Sequence, residues 1–155
     1  MIQVDQLSKY YGAQAAIRNL TFRIDAGEVV GFLGLNGAGK TTTLRVLGCV
    51  LLPTSGTVRL AGQDLLTAPR QLRARIGFLP ETPPLYEDMT VREYLAFVAG
   101  LRSVDPARIP ARVTETEERT GLADLDDERI STLSHGYRQR VGVAQALVHL
   151  SLIHI

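Results

Sequence analysis

Apolar and polar residues alternate over the first part of the chain, which predicts β-strands. The alternation is clearest between residues 16 and 24, and residues 2–7 show a looser form of it. Gly12 and Gly27 mark turns after these two segments. Residues 28–33 then form a short run that is apolar on both faces, as in a buried parallel strand. The pattern therefore predicts two strands and a third, buried strand that ends at Gly34.

Helical spacing begins at Lys40, where the chain places apolar residues on one face until Pro53 ends the pattern. Short strands are predicted over residues 57–60 and 75–79, followed by an irregular proline-rich loop at 82–84. Thr90 and Glu93 have the spacing of a capping box, which predicts a helix that runs to about residue 101.

The remaining segments also predict helices. Residues 103–128 are polar and contain two prolines, so we expect short helices there, with Gly121 at a helix end. A last helix is predicted from near Gly136. Its apolar stripe consists of Tyr137, Val141, Ala144 and Val148.

Composition is that of an ordinary folded domain. The chain has 155 residues, of which 45% are hydrophobic and 21% charged, and a single domain is expected at this length. Its 17 basic and 16 acidic residues leave a net charge of +1, which gives no field that would favour a nucleic-acid partner. Cys49 is the only cysteine, so a reducing compartment is expected, with Cys49 as a small core residue. No stretch is apolar and long enough for a membrane span.

Residues 34–41 match the pattern G-x-x-x-x-G-K-[ST] between a predicted strand and a predicted helix. Glycines allow the backbone amides to wrap a phosphate, and the helix N-terminus adds a partial positive charge. Lys40 then supplies a point charge and Thr41 a hydroxyl for Mg²⁺. A chance match is expected in about one in two hundred random chains of this size. The predicted nucleotide-binding residues of this loop are Asn36, Gly37, Ala38, Gly39, Lys40, Thr41 and Thr42.

A second motif suggests a family. Residues 133–141, Leu-Ser-His-Gly-Tyr-Arg-Gln-Arg-Val, resemble the LSGGQ-type signature of ABC ATPases, although His135 and Tyr137 depart from the usual glycine and glutamine. Tyr11 lies where that family has an aromatic residue, and Glu81 follows the apolar run where it has a Gln loop. The resemblance spans residues 2–149 and is closest to drug-exporter and gliding-motility-type subunits.

The resemblance implies an α/β fold of the ABC-type P-loop NTPases. In this fold a parallel core sheet is joined by an N-terminal antiparallel β part and an inserted helical subdomain. Residues 1–80 and 138–149 would form the nucleotide-binding core. Residues 81–137 would form the Gln loop, the helical subdomain and the signature.

The resemblance also implies roles for residues outside the loop. Tyr11 would stack on adenine, although it could also merely pack over a turn. Ser134 and Gly136 would contact the γ-phosphate of ATP bound to a second subunit, and Ser134 could in addition cap a helix.

Glu81 stands where glutamine is usual, so the resemblance makes Lys40 and Glu81 the catalytic candidates and Thr41 and Glu81 the metal candidates. Glu81 could equally be an exposed loop residue. A Walker B role for Glu81 is excluded by order, because the family places that motif after the signature.

After His149 the family continues into an apolar strand that ends in Asp and a catalytic Glu, whereas residues 150–155 read Leu-Ser-Leu-Ile-His-Ile. This hexapeptide resembles a translated sequencing adapter, so we expect a truncated protein with a non-native tail. Without the Walker B residues, negligible ATP turnover is expected of the 155-residue chain, and the missing strand predicts poor solubility.

The function implied is the ATP-binding subunit of an ABC exporter. ATP and Mg²⁺ would close a homodimer on the cytoplasmic face of the membrane, and a separate permease chain would be driven by that closure. Two alternatives stay open: a soluble ABC ATPase outside transport, and a non-catalytic nucleotide-binding module.

Overall fold

The computed structural model describes residues 1–151 and 153–155 and divides into two compact units, Met1–Arg73 and Ala74–Ile155. The first unit contains β1 (Ile2–Tyr11), β2 (Gln14–Ile24), α1 (Lys40–Leu47), β3 (Ser55–Leu60), β4 (Gln63–Asp64) and α2 (Pro69–Arg73). Its strands form an antiparallel sheet in the order β2-β1-β3-β4. The predicted N-terminal antiparallel part is therefore confirmed.

Strand β1 is central in this sheet because it pairs with β2 on one side and β3 on the other. Ile2 lies opposite both Ile24 and Leu60, which aligns apolar side chains on the buried face. At the other end of β1, Tyr11 pairs with Gln14 and closes the hairpin. The hairpin thus fixes Tyr11 at the end of β1, next to the turn.

The predicted buried strand over residues 28–33 is wrong. The backbone there has no strand structure, and Val29 and Leu33 are almost fully exposed. Phe32 packs on Phe22 of β2, with 5.9 Å between the two ring centroids. A strand apolar on both faces is stable only between hydrogen-bonded neighbours. Within the described residues no strand pairs with this segment.

The second unit is largely helical. It contains β5 (Ile76–Gly77), α3 (Val91–Leu101), α4 (Ile109–Thr120), α5 (His135–Leu147), β6 (Ile153–His154) and three 3-10 turns at Pro106–Arg108, Ala123–Leu125 and Ile130–Thr132. Helices α3, α4 and α5 bury a common apolar cluster that includes Leu95, Val113 and Val141. The stripe predicted for the last helix is confirmed at three positions, while Tyr137 stays 39% exposed.

The helix ends of this unit follow the predicted signals. Thr90 caps α3 through a full capping box with Glu93, whose carboxylate accepts the Thr90 amide at 2.9 Å. Gly121 ends α4 in the left-handed conformation, with φ of 67°. Both predictions are confirmed.

Residues 79–87 lie along one side of α5 and are called the docked loop here. Gly142 makes this possible, because a Cβ there would come within 2.7 Å of Leu79 and of Pro83. The Tyr94 hydroxyl bonds to the Pro84 carbonyl at 3.3 Å and to Gln145 of α5. Burial raises the pKa of Tyr94 to about 12, so this hydroxyl stays protonated.

Strand β6 lies parallel to β5, with Ile76 opposite Ile153. This pair supplies a parallel element of the kind expected for the core sheet. Leu152 of the predicted non-native tail lies outside the described residues. None of the helices within residues 1–151 has both the length and the apolarity that a bilayer crossing requires.

Candidate nucleotide-binding site

The glycine-rich segment before α1 adopts the backbone conformation that its sequence predicts. Gly37 and Gly39 have φ angles of 84° and 87°, which residues with a side chain rarely adopt. Gly39 is also confined, because a Cβ there would lie 2.3 Å from the Ala16 carbonyl oxygen. Conformation and close approach to β2 both require glycine at position 39.

The N-terminus of α1 is open. Gly39 occupies the N-cap position, so no side chain caps the first amides, and no acidic residue lies in the first turn. Free amide donors and the positive end of the helix dipole together attract an anion. This end of the helix can therefore accept phosphate oxygens without displacing a protein cap.

Lys40 folds back over the loop. Its Nζ donates to the carbonyl oxygens of Gly34 at 2.6 Å and Leu35 at 2.7 Å. The Ala38 amide donates to the Leu35 carbonyl at 3.2 Å, which closes the turn at the top of the loop. The two bonds from Nζ hold the ammonium within the loop.

A cavity of about 350 Å³ opens beside this loop. It is lined by Tyr11, Gln14, Ala15, Ala16, Asn36, Gly37, Gly39, Lys40, Thr41 and Thr42. The cavity size lies in the range of small-molecule sites. Its donors are an ammonium, backbone amides and two threonine hydroxyls, which suits a triphosphate, and the exposed Thr41 hydroxyl suits a Mg²⁺ shared with it.

Of the predicted nucleotide-binding residues in the first unit, seven line this cavity. Tyr11 is among them and remains 52% exposed, so its ring is accessible to a base. Ala38 is the exception, since its amide is used within the turn. The sequence did not indicate Gln14, Ala15 and Ala16, which enter because the Tyr11–Gln14 pair closes the hairpin at the cavity.

The signature residues lie in the second unit, at the start of α5. Ser134 is the N-cap residue, and its Oγ accepts the Tyr137 amide at 3.4 Å. The capping role considered for Ser134 is thus present. Gly136 is exposed, and a Cβ there would meet no atom within 4 Å. Packing within this chain therefore does not explain why position 136 is glycine.

Glu81 lies exposed at the start of the docked loop. Its backbone carbonyl accepts a hydrogen bond from Gln139 Nε2 of α5 at 3.1 Å, while its carboxylate makes no bond described in the structure. Among the described residues, no three acidic, histidine or cysteine side chains converge as a metal site. A metal role for Glu81 accordingly needs a phosphate-bound ion to complete it.

Arg138 is a residue of the signature segment that sequence reasoning did not single out. Its guanidinium donates to the carbonyls of Leu133 at 3.1 Å and Ser131 at 2.8 Å, and it pairs with Glu87 of the docked loop at 3.2 Å. It therefore fixes the segment that precedes Ser134. An arginine directly inside the first turn of a predicted helix was the available signal.

Comparison with known proteins assigns the family. The sequence profile of the ABC transporter family matches residues 17–155. The chain thus belongs to the ABC transporter family, and the resemblance drawn from its loop and signature is confirmed.

Individual relatives agree. The chain is 40% identical to an ABC transporter ATP-binding protein, YxlF, of Bacillus subtilis (strain 168), over 96% of this chain and 49% of that protein. It is 39% identical to the Nod factor export ATP-binding protein I of Paraburkholderia xenovorans (strain LB400), again over 96% and 49%. The chain therefore spans about half the length of these relatives.

The fold also matches a solved ATP-binding cassette. That structure is described as a dimer in a post-hydrolysis state bound to ADP and Pi. It superposes with a TM-score of 0.87 at 25% identity, and the match covers 99% of this chain and 72% of that one. The predicted ABC-type P-loop fold is confirmed.

Proposed function

We propose that this chain binds ATP with Mg²⁺ in the cavity beside residues 34–42. The observation that carries the proposal is the open N-terminus of α1, where Lys40 Nζ lies within the loop and Thr41 and Tyr11 line the same cavity. On binding, the ammonium would turn from the Gly34 and Leu35 carbonyls towards phosphate oxygens. Thr41 would hold Mg²⁺, and Tyr11 would stack on the base.

Calorimetric titration of the purified protein with Mg²⁺ and ATP tests this proposal. Lys40→Ala should weaken binding by at least about a hundredfold, because a charge-assisted contact to phosphate is lost. Arg45→Ala is the matched control, since it removes a positive charge from the last turn of the same helix. Equal affinities of the Lys40→Ala variant and the unchanged protein would overturn the proposal.

The whole protein is proposed to be the ATP-binding subunit of an ABC transporter. The family match and the name of the Nod factor export relative support a transport role. A separate membrane permease is proposed as the chain that this role would drive. The cytoplasmic face of the membrane is the location that such a role requires. A complete protein that binds ATP but never releases phosphate would instead favour a non-catalytic binding module.

Turnover by the 155-residue chain itself is proposed to be negligible. Lys40 and Glu81 are the catalytic candidates, but residues after α5 include no apolar strand that ends in Asp and Glu. No base that could polarise an attacking water is therefore evident there. Mg²⁺-dependent phosphate release by this chain, abolished by Lys40→Ala, would contradict this proposal.

A homodimer is proposed in which Ser134 and Gly136 contact ATP bound to the partner. The dimeric cassette among the structural neighbours supports this arrangement, as does the exposed Gly136. Sedimentation of the ATP-loaded protein can separate this role of Ser134 from capping. Ser134→Asn retains a capping oxygen, so its stability should be unchanged while its ATP-dependent dimerisation is lost. If Ser134→Asn dimerises normally with ATP, the role of Ser134 is limited to capping α5.

A further inference from the structure

Lys9 contacts the ring that lies at the cavity. Its Nζ lies over the Tyr11 ring, 5.5 Å from the centroid. This distance is within the range of a cation–π interaction, in which an ammonium is attracted to the negative face of an aromatic ring. Tyr11 is otherwise half exposed, so one face is occupied by the cation and the ring retains accessible surface.

The ammonium of Lys9 is itself held in place. It donates a hydrogen bond of 2.9 Å to the carbonyl oxygen of Leu52. The segment that carries Leu52 is fixed to β1 by two more hydrogen bonds: the Thr54 amide donates to Ser8 O at 2.9 Å, and the Tyr10 amide donates to Thr54 Oγ1 at 3.1 Å. The cation therefore has a defined position relative to the strand that carries Tyr11.

We infer that Lys9 is a positioning residue for the nucleobase: tied to the Leu52 carbonyl, its ammonium holds the Tyr11 ring so that the opposite face stacks on a base. This inference rests on the proposed function, because it requires a nucleotide in the cavity beside Tyr11. The ring would lie between a cation and a purine. Orienting the ring before binding lowers the entropy that stacking would otherwise cost.

The inference differs from a general attraction between Lys9 and phosphate. A cation that acts through Tyr11 should affect ligands that carry a base and leave a base-free polyphosphate unaffected. A cation that attracts phosphate directly should affect both ligands and should not depend on Tyr11. Inorganic tripolyphosphate is the base-free probe, and ATP carries the base.

The experiment measures the Kd of Mg-ATP and of Mg-tripolyphosphate by calorimetry for four variants of the protein: Lys9→Met, Lys9→Arg, Tyr11→Ala and the Lys9→Met/Tyr11→Ala pair. We expect Lys9→Met to weaken ATP about two- to fivefold, as loss of an exposed cation–π contact would, and to leave tripolyphosphate unchanged. Lys9→Arg should retain wild-type affinity. In the Tyr11→Ala background, Lys9→Met should have no further effect.

Two results would overturn the inference: equal ATP affinity in Lys9→Met and the unchanged protein, or the same loss for tripolyphosphate as for ATP. Unchanged tripolyphosphate binding also shows that each variant keeps a folded loop. Arg18→Met is a control for charge, since it removes one cation from neighbouring β2. Failure of the proposed function can be told apart from failure of this inference. If no phosphate binds beside residues 34–42, Lys40→Ala will leave tripolyphosphate binding unaffected.

Discussion

The starts of α1 and α3 represent opposite ways to treat the free amides of a helix N-terminus. At α3, Thr90 and Glu93 satisfy the amides reciprocally, with hydrogen bonds of 3.2 and 2.9 Å. At α1, Gly39 offers no side chain, and the first turn has no acidic residue. The first arrangement stabilises the protein by itself, whereas the second leaves donors for something else to satisfy.

The capped start of α3 contributes to stability, whereas the uncapped start of α1 leaves amide donors for a ligand. The unit that contains the capped helix α3 also buries a shared apolar cluster, while the unit that contains the uncapped helix α1 exposes Val29, Leu33 and Leu35. Substitutions at the two helix starts should therefore have different consequences, one for ligand binding and one for stability alone.

The largest expected effect is that of Gly39→Ala. The new Cβ would meet the Ala16 carbonyl at 2.3 Å in a left-handed backbone, so the loop must shift. We expect a loss of about 2–4 kcal/mol in unfolding free energy and loss of ATP binding. Gly12→Ala is the control: its φ is 60° but its Cβ would meet nothing within 4 Å, and it should cost about 1 kcal/mol. Equal urea midpoints for the two variants would contradict the steric argument.

The next effect concerns acid sensitivity, which we assign to the second unit. Burial is the main cause that lowers the pKa of His149 to about 4, and the nearby charge of Arg102 is the second. The Nε2 of this ring bonds to the Ile76 carbonyl at 3.2 Å. An unfolded histidine has a pKa near 6.5, so between these values the unfolded state binds the extra proton. The contribution of His149 to the free energy of unfolding is therefore complete above about pH 6.5 and is lost as the pH falls towards 4. For a partly buried ring this loss is on the order of 1–2 kcal/mol.

Comparison with His149→Gln isolates this contribution. Burial raises the pKa of Glu117, so its contribution has the opposite sign and is lost as pH rises through that pKa. Denaturant melts between pH 7 and 4.5 should show a larger loss of unfolding free energy on acidification for the unchanged protein than for His149→Gln. Parallel curves for the two proteins would refute the assignment.

A smaller effect is expected at the closed helix start. Thr90→Ala removes the acceptor for the Glu93 amide and should cost about 1 kcal/mol, with ATP affinity unchanged. Thr90→Ser keeps the oxygen and should behave as the unchanged protein does. A change in ATP affinity with Thr90→Ala would break the separation between stability and binding drawn above.

The smallest effect lies at the other end of α1. Cys49 follows this helix with φ of 56°, a left-handed conformation in which glycine is favoured. Burial raises the pKa of its thiol, in line with an unreactive cysteine. Cys49→Gly should add about 0.5 kcal/mol of stability, measured by thermal melts, because relief of strain exceeds the entropy gained by the unfolded chain. Cys49→Ala retains the strain and should not add stability.

The sequence was most informative where local chemistry determines structure. Thr90 with Glu93 and Gly121 marked helix ends correctly because capping depends on residues a few positions apart. The loop that ends in Lys40 was found for the same reason. Residues 28–33 were assigned wrongly, because a strand also needs neighbours, and the pattern of one segment does not supply them.

Other contacts could not be read from the pattern because they depend on distant backbone. The bond from Lys9 to Leu52 joins residues 43 positions apart, and it holds the ammonium that lies over the Tyr11 ring. The contact of Pro83 with Gly142 likewise needs the helix and the docked loop to be assembled. The sequence thus predicted which residues are candidates for the site, but it did not predict the contacts that hold these residues in place.

The parallel pair of β5 and β6 has a consequence for how the chain folds. Tyr11 and Gln14 meet across a two-residue turn, but Ile76 and Ile153 meet only after all three helices between them have been traversed. Closing so long a segment costs entropy before any contact repays it. When this chain refolds, we expect the hairpin to form before the β5–β6 ladder, so kinetic intermediates should protect the amides of β1 before those of β6.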